Sequence, residues 1–197
     1  PFTSLLVSGG HSLIVDVKDF EDYEIIGQSV DDAVGEAFDK VGKLLQLPYP
    51  GGPHIEEAAK RGDPARFYFP RPMKHSDDLN LSFSGLKTAV LYATKDLNIN
   101  DERSNISASF QEAVIDVLTT KIKKAMKQTG NKSLVMAGGV AANKKIRAAL
   151  DMLEEKEGIK VFYPSIRHCT DNAAMIAYLG SLKIEGKNIY NSNVRAR

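Results

Sequence analysis

Apolar and polar residues alternate in short runs at the start of the chain. Residues 3–7 and 12–17 flank Ser8-Gly9-Gly10-His11, which predicts two strands joined by a tight turn, with a third strand over 23–29. The period then changes. Val34, Ala37, Phe38, Val41, Leu44 and Leu45 recur at helical spacing, with Asp32, Glu36, Asp39 and Lys43 on another face, and this predicts a helix over 31–47. Pro48-Tyr49-Pro50-Gly51-Gly52-Pro53 ends it, because proline lacks the amide donor and glycine is too free to hold a helix. From 54 to about 130 the pattern is mainly helical, with segments over 54–61 and 83–96 and a long one that keeps Ile106, Phe110, Val114, Val117, Leu118 and Ile122 in register. A buried strand over 133–136 leads through Ala137-Gly138-Gly139 into a helix over about 140–157. A strand over 159–163, a loop over 164–169 and a last helix over about 171–184, capped by Thr170, complete the chain.

Set the helical segment of about 48–130 aside as an insertion, and the order becomes three strands, a helix, a strand, a helix, a strand and a helix. A meander followed by two βα units is the lobe order of actin-like and sugar-kinase-like ATPases, whose paired lobes hold a nucleotide between them. The expected fold class is therefore α/β, one actin-like ATPase lobe (ASKHA, RNase H-like) with a largely helical insertion. Strand order alone does not assign a function.

Composition narrows the classes. With 197 residues, 43% of them hydrophobic, the chain can bury a substantial core. Its 26 basic residues nearly cancel 25 acidic ones, so no whole-surface attraction to nucleic acid is expected. The lysine-rich stretches at 121–127 and 144–147 read as solvated helix faces or as local contacts to a nucleic-acid backbone. A single cysteine, Cys169, forbids an internal disulfide and points to the cytoplasm. No apolar run approaches the roughly 20 residues that span a bilayer, and the opening Pro1-Phe2-Thr3 has no signal-peptide pattern. A start without Met, directly into Leu5-Leu6-Val7, reads as a fragment of a longer protein.

Four places could carry chemistry. The Ser8-Gly9-Gly10-His11 turn can converge backbone N–H groups on an anion, or it can be a plain hairpin turn. Gly138-Gly139 lies between a strand and a helix, where free N–H groups favour negative charge, and Asn143, one turn into that helix, could reach a sugar or base. With a third Gly-Gly turn at Gly51-Gly52, a shared nucleotide pocket competes evenly with three unrelated turns. Asp39 is either a ribose or hydroxyl acceptor or a solvated carboxylate opposite an apolar stripe. Asp171, in the first turn of the last helix, is either a cap or one metal ligand. The chain holds no HExxH, no paired CxxC and no two histidines at helical spacing, so no complete metal site is visible. Phe83-Ser84-Gly85-Leu86-Lys87 is most simply explained as core.

The exact strings say more than their spacing. Val7-Ser8-Gly9-Gly10-His11, Asp31-Asp32-Ala33-Val34-Gly35-Glu36-Ala37-Phe38-Asp39-Lys40 and Tyr49-Pro50-Gly51-Gly52-Pro53 resemble the TsaD family. So do residues 81–90, with Leu81 where the family has Phe, together with Ala137-Gly138-Gly139-Val140-Ala141-Ala142-Asn143 and the run from Cys169 to Ala177. That family, once labelled O-sialoglycoprotein endopeptidase, comprises tRNA N6-adenosine threonylcarbamoyltransferases. The resemblance implies transfer of a threonylcarbamoyl group from threonylcarbamoyl-AMP to the exocyclic amine of a tRNA adenosine beside the anticodon. It implies that Val7, Ser8, Gly9, Gly10 and His11 meet the phosphate region, and that Asp39, Gly52, Glu56 and Asn143 meet the nucleoside or threonyl parts. Glu56 stands where many relatives carry Asp. Asp171 would bind one metal ion, iron, with zinc or magnesium as alternatives. TsaB-like and TsaE-like proteins are the partners expected in a bacterium, and no membrane is involved. The family also carries an N-terminal lobe with a His-x-x-x-His pair, which nothing in residues 1–197 matches. The chain is thus expected to be a C-terminal lobe, inactive alone and a weak binder of metal and adenylate. A sugar-kinase-like phosphotransferase and a noncatalytic partner lobe of the same fold are the competing readings.

Overall fold

The computed structural model describes residues 1–185. Five strands form one sheet: β1 (Phe2–Val7), β2 (Ser12–Asp19), β3 (Asp22–Gln28), β4 (Ser133–Ala137) and β5 (Lys160–Phe162), in the order β3-β2-β1-β4-β5. β1 to β3 make an antiparallel meander, whereas β1, β4 and β5 run parallel. Because β1 and β4 are parallel neighbours, the loops that leave their C-terminal ends emerge side by side. In open α/β sheets that end is where ligands bind.

Alternation along the strands decides what each face meets. Thr3, Leu5, Val7, Ile14, Leu134 and Met136 are all fully buried on one side. That side shares one continuous core with α1 (Val34–Leu44), α2 (Gly51–Ala59), α3 (Ser84–Ala93), α4 (Ile99–Thr129) and α5 (Lys144–Glu157). Phe38 of α1 and Phe110 of α4 meet edge to face at 5.1 Å, so the helical segment packs into the sheet's core and does not build a core of its own. α6 (Ala173–Glu185) is exposed along most of its length; Leu179 borders a cavity with Val17 and Tyr23, and Lys183 pairs with Glu21 at 3.5 Å. No helix among the described residues is long and apolar enough to cross a membrane.

Several boundaries differ from the periodicity, each for a capping reason. α1 starts at Val34, not at residue 31, because Asp31 is used elsewhere. Its carboxylate accepts from the Ser82 and Ser84 hydroxyls at 2.5 and 2.7 Å and from the Phe83 and Ser84 amides at 2.8 and 3.2 Å, capping α3 from a distant segment. The caps of α1 come from the β1–β2 hairpin instead: Ser12 Oγ accepts from Val34 N at 2.8 Å and the Ser8 carbonyl from Gly35 N at 3.1 Å. α2 begins at Gly51, inside the run read as a turn, because Pro53 sits in its first turn, where no helical N–H is needed. Lys121, expected on a solvated face, is fully buried. Its ammonium donates to Ser76 Oγ and the Asp78 carbonyl, each at 2.7 Å, and ties the loop before α3 to α4.

Asp31 gives a pH-dependent prediction. Burial pushes its pKa up, but the four hydrogen bonds outweigh burial and hold it below the usual carboxylate range. A lowered folded pKa means stabilisation that is complete at neutral pH and is lost as pH falls through the ordinary carboxylate value near ~4 and below. Asp31→Ala is expected to cost about 1 kcal/mol at pH 7, as caps do, with the gap to wild type closing in acid. Urea melts of the two proteins across pH check both points.

Candidate functional site

Two adjoining cavities open at the C-terminal ends of β1 and β4, sharing Gly9, Gly139 and Thr170. The first, about 280 Å³, is walled by Gly35, Phe38 and Asp39 of α1, Gly52, Pro53 and Glu56 of α2, and Val140, Ala142 and Asn143. The second, about 430 Å³, is walled by Ser8, His11, Gly138, His168, Cys169, Asp171 and Met175. Of the residues singled out in the sequence, Ser8, Gly9, His11, Asp39, Gly52, Glu56, Asn143 and Asp171 line one cavity or the other. Gly10 lines neither, and the Val7 side chain is wholly in the core.

The Ser8–His11 turn is tied down by its own serine. Ser8 N donates to the His11 carbonyl at 2.8 Å, while Ser8 Oγ accepts from His11 N at 3.0 Å and from Gly10 N at 3.3 Å. Three of the four turn amides are therefore bound within the turn, and Gly9, whose amide has no protein acceptor among the described residues, is the residue the turn gives to both cavities.

The second glycine turn differs from expectation. The helix expected over 140–157 is split: residues Gly139–Ala142 form a 3-10 turn and α5 starts at Lys144. Asn143 is not inside the helix but is its N-cap, with Oδ1 accepting from Ile146 N at 3.0 Å and Nδ2 donating to Gln111 Oε1 at 2.9 Å. That orientation is forced, since a backbone amide can only donate. Glu56 accepts from Lys144 N at 2.8 Å, so protein groups occupy the start of α5. An anion here would meet the strand-to-turn amides of Gly139 and Val140, which have no protein acceptor among the described residues. Asp39 is not simply solvated. Its Oδ1 accepts from Gly51 N at 2.7 Å, bracing the start of α2, and the carboxylate faces the first cavity.

Asp171 also lies outside the helix expected to contain it. α6 begins at Ala173 and is capped by Asn172, whose Oδ1 accepts from Met175 N at 3.0 Å, so neither Thr170 nor Asp171 caps it. Asp171 is exposed and has no hydrogen-bond partner among the described residues. No three His, Cys, Asp or Glu side chains among those residues are gathered to hold a metal ion, although His11 and His168 line the same cavity. A carboxylate is chemically able to serve as one ligand of a cation, but a cation held at Asp171 would need further ligands from outside the described residues.

A family model described as TsaD, tRNA N6-adenosine threonylcarbamoyltransferase, matches residues 1–178. The chain belongs to that family. It is 48% identical over 218 aligned residues to the tRNA N6-adenosine threonylcarbamoyltransferase of Neisseria gonorrhoeae, covering all of this chain and 62% of that protein. A Neisseria meningitidis relative of the same description is 47% identical with the same coverage. The chain therefore spans less than two thirds of the length of these relatives. Among solved structures, full-length HypF in a phosphate- and nucleotide-bound form aligns with a TM-score of 0.69 at 15% identity, over 98% of this chain and 34% of that one. At that identity the likeness shows the fold, an actin-like ATPase type of α/β lobe, as expected from strand order.

Sequence reading of this TsaD-family chain missed the residues that brace the site. Gln111 looks like one more polar position on α4, and Arg147 like part of a lysine-rich face. Thr170, read as a cap, instead lines both cavities.

Proposed function

We propose that this chain forms one wall of an adenylate-binding pocket in a protein that transfers threonylcarbamoyl from threonylcarbamoyl-AMP to the exocyclic amine of a tRNA adenosine beside the anticodon. The observation that carries the reading is the convergence of Ser8, Gly9, His11, Asp39, Gly52, Glu56, Asn143 and Asp171 on two adjoining cavities, from segments far apart in sequence. Placement at the C-terminal ends of parallel strands, where open α/β sheets bind ligands, supports a phosphate-bearing ligand there. In the reaction the amine nitrogen bonds to the carbamoyl carbon, the bond from that carbon to the phosphate oxygen breaks, AMP departs and the amine loses a proton.

The chain's own residues have distinct parts in this. The Gly9 and Gly139–Val140 turns present amides to the phosphate, while Asp39 and Glu56 face the ribose or threonyl hydroxyls from α1 and α2. Asn143 keeps one amide hydrogen beyond its cap and its bond to Gln111. Asp171 would hold one cation, iron or alternatively zinc or magnesium, which when bound supplies Lewis-acid polarisation of the acyl and phosphate oxygens. Activity belongs to a protein of the relatives' full length, working with TsaB-like and TsaE-like proteins.

The test is to supply that full-length protein and its partners with threonylcarbamoyl-AMP and unmodified tRNA and to detect the modified adenosine. Modification by wild type is expected, and its absence would sink the reading. Asp39→Ala, which removes a charged acceptor and unties Gly51, is expected to raise the Kd for the adenylate about tenfold or more. Isothermal titration with a nonreactive adenylate analogue measures it.

A further inference from the structure

The two cavities are bounded by two loops that leave neighbouring strands, residues 138–142 after β4 and residues 164–171 after β5. They make no strand pairing with each other, yet one side chain reaches both. Arg147, in the first turn of α5, donates from Nε to the Ala141 carbonyl at 2.5 Å, and from Nη2 to the Pro164 carbonyl at 2.9 Å and to Cys169 Sγ at 3.3 Å. Its guanidinium lies over the Tyr163 ring, 4.7 Å from the centroid. The Tyr163 hydroxyl, kept protonated by burial and by Asp151, returns a bond to the Arg147 carbonyl at 3.0 Å or to Asp151 at 2.8 Å.

We propose that Arg147 is a positioning residue, a clip that locks the glycine turn of the first cavity to the loop that carries Asp171. It touches neither cavity itself. A planar, always charged guanidinium suits the task, because its fixed fork serves acceptors on two loops at once while its face stacks on an aromatic ring. Lysine, with a single point charge, would serve one loop at a time. The consequence is mechanical coupling. Asp171 has no bond of its own among the described residues, so its placement depends on its loop, which Asn172 holds at the Thr170 carbonyl, 2.9 Å away, and which Arg147 alone ties, through Cys169 and Pro164, to Ala141. An adenylate ordering the glycine turn would thereby order the Asp171 loop.

The part of this inference that concerns catalysis rests on the proposed transferase reading, whereas the clip itself does not. Cys169 supplies a reporter independent of activity. It is 4% exposed and is held by Arg147, so release of the loop would uncover its thiol. In the full-length protein with its partners, alkylation at Cys169 is followed by peptide mass spectrometry for wild type, Arg147→Met and Arg147→Lys. Transfer kcat and the KM for threonylcarbamoyl-AMP are measured in parallel. The expected result is that Arg147→Met raises the Cys169 alkylation rate at least tenfold and lowers kcat at least tenfold. Arg147→Lys should fall between, and adenylate should protect Cys169 in wild type and not in Arg147→Met. Unchanged alkylation in a folded Arg147→Met protein would overturn the clip. Faster alkylation with unchanged kcat and KM would overturn its role in positioning. A wild type that protects Cys169 with adenylate but modifies no tRNA would refute the transferase reading and leave the clip standing.

Discussion

Gly138→Ala in the full-length protein is expected to destabilise it by roughly 3–5 kcal/mol and to abolish adenylate binding. Gly138 has φ 96° and ψ 169°, a region that is essentially closed to residues with a Cβ. Space is closed too. A Cβ built there would lie 2.2 Å from the Val7 carbonyl oxygen and 2.7 Å from the carbonyl carbon. Both are main-chain atoms at the end of a central strand, so neither can swing away. Relief would have to come from parting β1 from β4, and that seam is where the two glycine turns meet. Natural domains keep only about 5–15 kcal/mol of net stability, so a loss of this size is readable as a large fall in the urea midpoint. The neighbouring Gly139 makes the comparison sharp. Its Cβ would meet nothing within 4 Å, and Gly139→Ala should stay within about 0.5 kcal/mol of wild type. Equal melting of the two variants would show that the strand and the turn are not in close contact.

That pair of glycines also shows what was legible in the sequence. A Gly-Gly between an apolar strand and a helix marks a turn with close approach, and the β-meander with its two βα units follows from period changes alone. Period does not report, however, on side chains that leave their own element. Asp31 and Asp32 look alike before a helix, but Asp31 caps α3, about fifty residues on. Lys121 reads as a solvated lysine among others, yet its ammonium is buried on the carbonyl and hydroxyl of a loop that nothing in the local pattern places beside it. Asn143 lines the first cavity but stands before α5, not inside it. An asparagine after a Gly-Gly turn fits the helix interior and the cap equally well by spacing, and only the break into a 3-10 turn makes it the cap. The candidate site residues come from their strings, whereas the bond from Asn143 to Gln111 and the contacts of Arg147 with two loops are visible only in the folded chain.

Asp171→Ala, in the full-length protein, should lower the kcat for threonylcarbamoyl transfer by about a hundredfold or more while leaving stability within about 0.5 kcal/mol of wild type. The two halves of this expectation belong together. A carboxylate near a helix start ordinarily acts as a cap, and removing a cap costs about 1 kcal/mol without any special effect on chemistry. Here the cap is assigned. Asn172 accepts from Met175 N, α6 begins at Ala173, and Asp171 stands before both, exposed, beside a cavity that it shares with Ser8 and His11. No hydrogen bond or ion pair among the described residues uses its charge, so a loss of activity at constant stability would place the carboxylate in the reaction's polar surroundings. Asp171→Asn keeps the shape and one oxygen but loses the charge that would hold the proposed cation, and it should resemble the alanine variant in kcat and in bound metal. Asn172→Ala, by contrast, should lower stability by about 1 kcal/mol as a lost cap. A stability loss in Asp171→Ala with undiminished transfer would reverse the assignment, making Asp171 the helix cap and removing it from the site.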